Sequence, residues 1–226
     1  MPTAAAAGLP RWLTGTDPVR RAIYIFGMVP AVWYFYLGLT DQLGADPQNV
    51  LERALGLWAL RFLIAGLAIT PLRRLGGPNL IRYRRAIGLM AFCYAALHLT
   101  VYMVLDQGLD LWAIIGDIIK RPYITVGMLA FLILVPLAIT SNSAMIRRLS
   151  GGAWQKLHRW VYAAAAAAAI HFIMLVKVWP AEPLIYAALV AILLLFRFGA
   201  YLQKRQKPRT VRAASRPDRQ RVASPD

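Results

Sequence analysis

Residues 156–178 read KLHRWVYAAAAAAAIHFIMLVKV. Between Trp160 and Val176 there is no Asp, Glu, Lys or Arg, and Lys156 and Arg159 stand just ahead of the run. As a helix rising ~1.5 Å per residue, a stretch of this length crosses most of the ~30 Å hydrocarbon layer of a bilayer. Five more runs of the same kind occur, at about 22–39, 51–70, 86–105, 123–140 and 184–201. With 160–178 they predict an all-α membrane protein, a six-transmembrane-helix bundle.

Composition agrees. Of 226 residues, 59% are hydrophobic, and the mean hydropathy is +0.51, above what a soluble domain with a polar outer face reaches. The net charge of +16 raises the question of nucleic acid. However, the basic residues fall between and after the apolar runs, where they act as topology signals, so membrane lipid is the expected partner and nucleic acid is not. The single cysteine, Cys93, lies inside an apolar run, which excludes a disulfide framework and a Cys-based metal site. The Ala-rich N-terminus lacks a basic start, and the first long apolar run follows only after Arg20 and Arg21, so it does not read as a cleavable signal.

Prolines punctuate the runs. Pro71 is expected to close the second span and Pro122 to open the fourth, while Pro30 and Pro136 fall inside spans and should kink them. Trp179 to Pro183 makes a tight link between the last two spans. Twenty Lys and Arg residues fall on one side of this map, from Arg11 through the tail, against four on the other, Arg53, Lys120, Arg121 and Lys177. The positive-inside rule then places both termini in the cytoplasm. The expected organisation is a cytoplasmic N-terminal segment at 1–21, the six-helix domain at 22–201, and a basic, disordered cytoplasmic tail at 202–226.

The chemistry rests on the three histidines, all in or at the ends of spans, where an ionisable residue is costly. His98 lies 12 residues into the third span from Ala86, and His171 lies 13 residues beyond His158. Both therefore sit ~18–20 Å above the cytoplasmic boundary. Two neutral imidazoles at equal depth on two helices can supply both axial ligands of one heme iron. His158 lies ~20 Å lower, the right separation for a second heme, although on an ideal helix it points about 140° away from His171. No second histidine on the third span completes that lower site.

Arg84, 14 residues before His98, shares the inner level. It is a weak ligand, a propionate partner, or one more positive-inside residue. Arg61, about halfway along the second span, needs a partner such as a heme propionate or a quinone or flavin oxygen, unless it snorkels or is solvated by water. The run Ala163 to Ala169 suits close helix packing and equally lets a flat macrocycle approach the backbone. No glycine-rich dinucleotide fingerprint, P-loop, Ser–His–Asp order or zinc spacing is present. With no carboxylate in the middle of any span, a proton-coupled transporter is disfavoured.

Several segments resemble a known family. They are Ala59-Leu60-Arg61-Phe62-Leu63 leading to Thr70-Pro71-Leu72-Arg73-Arg74, then Arg84-Arg85-Ala86-Ile87-Gly88-Leu89 ahead of Leu97-His98-Leu99. Thr140-Ser141-Asn142, Trp154 to Tyr162 and His171 follow. The pattern, over roughly residues 20–200, resembles the MsrQ (YedZ) family, heme-binding membrane subunits of bacterial periplasmic protein-methionine-sulfoxide reductase systems, within the ferric-reductase-like transmembrane group. The resemblance implies a multi-pass b-type cytochrome of the cell inner membrane, with His98, His171 and His158 as heme-iron ligands. It implies one heme b or two, FMN as an associated cofactor, and the quinone pool or a cytosolic flavin reductase as electron donor. The acceptor it implies is a periplasmic molybdenum-cofactor methionine sulfoxide reductase. The competing expectations are a stand-alone membrane ferric or quinone reductase, and a transporter or assembly factor whose histidines only pack.

Overall fold

The computed structural model describes residues 17–175 and 180–206, and among these every regular element is helical. The parts of the N-terminal segment, the Trp179 link and the basic tail that fall at 1–16, 176–179 and 207–226 lie outside the described residues.

Two of the long helices begin on an aspartate. Asp17 caps α1 (Pro18–Leu39) by accepting from the Val19 amide, and Asp46 caps α2 (Pro47–Arg74) by accepting from Asn49. In both, proline fills the first helical position, where its missing N–H costs nothing. A single 3₁₀ turn, Ile81–Tyr83, leads into α3 (Arg84–Val101), which unwinds into a π turn at Tyr102–Asp106. A short amphipathic helix, α4 (Leu111–Lys120), capped by Asp110, then returns the chain to α5 (Pro122–Ile139). Two short helices, α6 (Ser143–Leu149) and α7 (Gly151–His158), precede α8 (Val161–Leu175) and α9 (Ala181–Gln206).

Among the described residues, five helical segments are long and apolar enough to cross a membrane: α1, α2, α3 with its flanking turns, α5 and α9. The predicted fifth span corresponds to α8, which runs 15 residues before the described chain stops at Leu175. Its residues Ala164 and Ala165 are fully buried between neighbouring helices.

The core sits along α2. One apolar cluster joins α1, α2 and α3 around Leu55, Met90 and Tyr94; a second joins α2, α8 and α9 around Leu67, Ala165 and Phe172. A third, of Leu63, Ala91, Leu134 and Ala164, ties α2 and α3 to α5 and α8. The bundle is thus two helix pairs, α2 with α3 and α5 with α8, flanked by α1 and α9. The large side chains on the outer surfaces of α1 and α9, such as Phe26, Trp33, Ile192 and Phe198, are exposed, as suits helices bathed in lipid.

One proline departs from the simplest reading. Pro71 does not end α2; the helix runs on to Arg74. A proline at 71 leaves the Leu67 carbonyl without its usual amide donor, and Arg197 of α9 supplies one, its Nη2 donating to Leu67 O at 2.8 Å. Pro30 lies within α1 as expected, and beside it the Tyr94 hydroxyl enters the helical ladder. It donates to Gly27 O at 2.6 Å and accepts from the Ala31 amide at 3.0 Å. The chain also breaks at Arg159 and Trp160, so His158 ends α7 while His171 belongs to α8. The 140° phase expected for one continuous helix therefore does not apply.

A histidine-lined cavity between two helix pairs

A cavity of about 350 Å³ opens between the two helix pairs toward the end of the bundle where α2 starts and α3 finishes. Its deep walls are apolar and include Leu60, Leu63, Phe131 and Leu134; its mouth carries Asn49, Glu52, Arg53, Asp106 and Arg121. This is the profile of a small-molecule or cofactor site, apolar with a few polar groups at the rim. Ala168, from the alanine run, contributes to the wall, so that run both packs and lines the cavity.

His98 and His171 enter from opposite sides. Their ring centroids are 6.2 Å apart with the planes at 75°. A metal–imidazole bond of about 2.0–2.1 Å, plus about 1.1 Å from ring centroid to coordinating nitrogen, separates two trans rings on one metal ion by about 6.3 Å. The two imidazoles already stand at that distance.

Each ring is held by the same local device. His98 Nδ1–H donates to the Glu52 carbonyl of α2 at 2.9 Å, and His171 Nδ1–H donates to the Tyr123 carbonyl of α5 at 2.6 Å. Four residues on from each carbonyl is a glycine: Gly56 after Glu52, Gly127 after Tyr123. The imidazoles lie against these glycines. A Cβ at Gly56 would stand 3.1 Å from His98 Nδ1, and one at Gly127 would stand 2.8 Å from His171 Nδ1. Removing the side chain is what lets each ring reach a carbonyl already serving its own helix. With Nδ1 carrying the proton, Nε2 keeps its lone pair for a metal.

The remaining predicted residues lie elsewhere. His158, the last residue of α7, stacks on Trp154 of the same helix with centroids 3.8 Å apart. Its Nε2 lies 3.3 Å from Ser141 Oγ and its Nδ1 3.1 Å from Trp154 O. Burial holds its pKa below the usual imidazole value, and the charge of Arg84 acts in the same direction. Arg84 lies close enough for its charge to reach His158, and it also faces the Tyr162 hydroxyl. Arg61 lies on another face of α2, outside the cavity lining. Its Nε donates to Tyr186 OH at 2.8 Å and its guanidinium covers the Trp58 ring at 4.8 Å. This aromatic box is the partner that a mid-span arginine needs.

Sequence reasoning passed over three residues. Gly56 and Gly127 carried a signal, since a glycine inside an apolar helix suggests close approach, but Gly27, Gly66 and Gly88 carry the same one. Arg197 joins Tyr162, Leu67 O and Thr70 through its two terminal nitrogens, while its buried Nε has no partner among the described residues. As a charge inside the last span it stood out as much as Arg61 did.

Comparison with known proteins gives a consistent result. Residues 54–169 match the model of the ferric reductase like transmembrane component family. The heme-binding subunits MsrQ of protein-methionine-sulfoxide reductase from Brucella ovis, Brucella canis and Brucella melitensis biotype 2 are each 60% identical over 186 residues. The alignment covers 82% of this chain and 84% of each relative. The matched family segment includes His98 and His158 and stops two residues short of His171.

Proposed function

The chain belongs to the MsrQ family of heme-binding subunits, within the ferric-reductase-like transmembrane proteins, and from that membership we propose that it is a b-type cytochrome carrying electrons across the bacterial inner membrane. Its acceptor is a periplasmic molybdenum-cofactor methionine sulfoxide reductase that repairs oxidised proteins. Its donor is the quinone pool or a cytosolic flavin reductase. The observation that carries the reading is the His98–His171 pair, 6.2 Å apart in a cavity between helices.

The residues present fit a heme. Gly56 and Gly127 are cradles that a Cβ would fill, and both imidazoles keep Nε2 available for one iron. Heme b, when bound, supplies a one-electron centre. The chain's own residues do the rest. His98 and His171 would hold the iron from α3 and α8, the Glu52 and Tyr123 carbonyls fix the ring tautomers, and Leu60, Leu63, Phe131 and Leu134 keep water from the deep end. Asn49, Glu52, Asp106 and Arg121 form a polar rim on the outer side, where a partner collects the electron.

A second heme at the inner level would take His158 as ligand, with Arg84 beside it, once His158 Nε2 leaves Ser141. We assign no residue to FMN. The topology is six spans with α8 as the fifth and both termini cytoplasmic, supported by the twenty-to-four division of basic residues.

Substitution with heme quantitation tests this reading. His98→Ala and His171→Ala should each abolish the same outer heme, measured as the reduced-minus-oxidised b-type signal and as pyridine hemochrome per mole of protein. His158→Ala should leave that heme in place. Loss of all heme in His158→Ala, with none lost in His98→Ala, overturns it.

A further inference from the structure

The two imidazole planes stand at 75°, and a hydrogen bond and a glycine hold each of them. Each plane must contain the line from its Nδ1–H to a fixed backbone carbonyl, Glu52 O for His98 and Tyr123 O for His171. Those carbonyls belong to two different helices, α2 and α5, at opposite walls of the cavity. Each ring also lies against a glycine, where a Cβ would come within 3.1 Å at Gly56 and 2.8 Å at Gly127. Rotation about the future metal–Nε2 axis would break the hydrogen bond and lift the ring off its glycine. Packing and hydrogen bond therefore fix the same angle.

We infer that Gly56 and Gly127, with the carbonyls four residues before them, are positioning residues that hold the axial ligands of the heme crossed, near perpendicular. The inference rests on the bis-histidine reading above and goes beyond it, because that reading is silent on ring orientation. Crossed imidazoles act equally on the two iron d orbitals that point out of the heme plane, whereas parallel ones split them. The oxidised heme is then a low-spin ferric centre of high magnetic anisotropy, and the ligand-plane angle is a property of the protein rather than of the cofactor. A neighbour that orients a metal-bound histidine through its other nitrogen also sets ligand basicity, and its loss typically weakens metal binding by about 10–100-fold.

Electron paramagnetic resonance of the oxidised holoprotein reads the angle directly. The expected spectrum is a single low-spin feature at large g, with no resolved three-line rhombic pattern. The same spectra taken on His158→Ala remove any contribution from the inner level. Gly127→Ala should move the feature toward the rhombic pattern and lower heme occupancy. Gly56→Ala should do the same to a smaller extent, since its added methyl has 0.3 Å more room (3.1 Å against 2.8 Å). A three-line rhombic spectrum in the unsubstituted protein overturns the crossed geometry while leaving bis-histidine ligation standing. A high-spin spectrum overturns the ligation and this inference with it. A large-g feature that stays put in both glycine variants removes the glycines from the role. If Gly127→Ala yields no holoprotein, the unsubstituted spectrum and Gly56→Ala still decide the matter.

Discussion

Arg197 and Pro71 are coupled through a single carbonyl, and the coupling can be measured. Pro71 deprives Leu67 O of its helical donor, and Arg197 Nη2 takes the vacant place at 2.8 Å, with Leu67 itself 1% exposed. Arg197→Leu leaves that carbonyl buried and unsatisfied, a cost of about 1–3 kcal/mol, and strips Tyr162 OH and Thr70 of a donor as well. The single variant should lose about 2–4 kcal/mol in all. Pro71→Ala restores an amide to the helical ladder. In the otherwise unaltered protein it should change little, because a carbonyl oxygen can accept from both donors. In Arg197→Leu it should return at least about 1 kcal/mol. The assay is a four-member double-mutant cycle, with unfolding titrated in mixed micelles and followed by far-ultraviolet circular dichroism. The cycle cancels whatever Arg197→Leu does through its lost charge. If the two effects add to within about 0.5 kcal/mol, the carbonyl is not shared and the account of how α2 passes Pro71 fails.

Three further outcomes are expected. A reporter active only after export, fused at the C-terminus, should stay silent, and the same reporter inserted at Pro180, just ahead of α9, should be active. Arg61→Gln should keep the outer heme at the level of the unsubstituted protein, because Arg61 faces Trp58 and Tyr186 rather than the cavity; hemochrome assay decides it, and heme loss would return Arg61 to the cofactor. Reduced holoprotein in detergent should be reoxidised by the periplasmic reductase together with a sulfoxide substrate, and not by the sulfoxide alone. Rapid reoxidation without the reductase would point instead to a stand-alone reductase.

Much of this architecture was legible in the linear pattern because a membrane simplifies the code. Backbone groups in lipid must be satisfied within the helix, so apolar length alone locates helices such as α1, α2 and α5. Depth also converts directly from residue count, which alone puts His98 and His171 at one level. What stayed hidden depends on partners distant in sequence. Nothing local distinguishes Gly56 or Gly127 from other span glycines; their role exists only because His98 and His171 arrive 42 and 44 positions later. Pro71 looked like a stop because its remedy, Arg197, lies on another helix. The break at Arg159 and Trp160 falls between an amphipathic helix and an alanine-rich one, with neither glycine nor proline at the break to mark it.

The repeated clamp bears on how such a site is built in a cell. The α2–α3 pair holds one imidazole in its final tautomer against its own glycine, and the α5–α8 pair holds the other in the same way. Neither half borrows a hydrogen bond from its counterpart to do so. The halves are in effect two prefabricated jaws, each finished when its own helices meet in the bilayer.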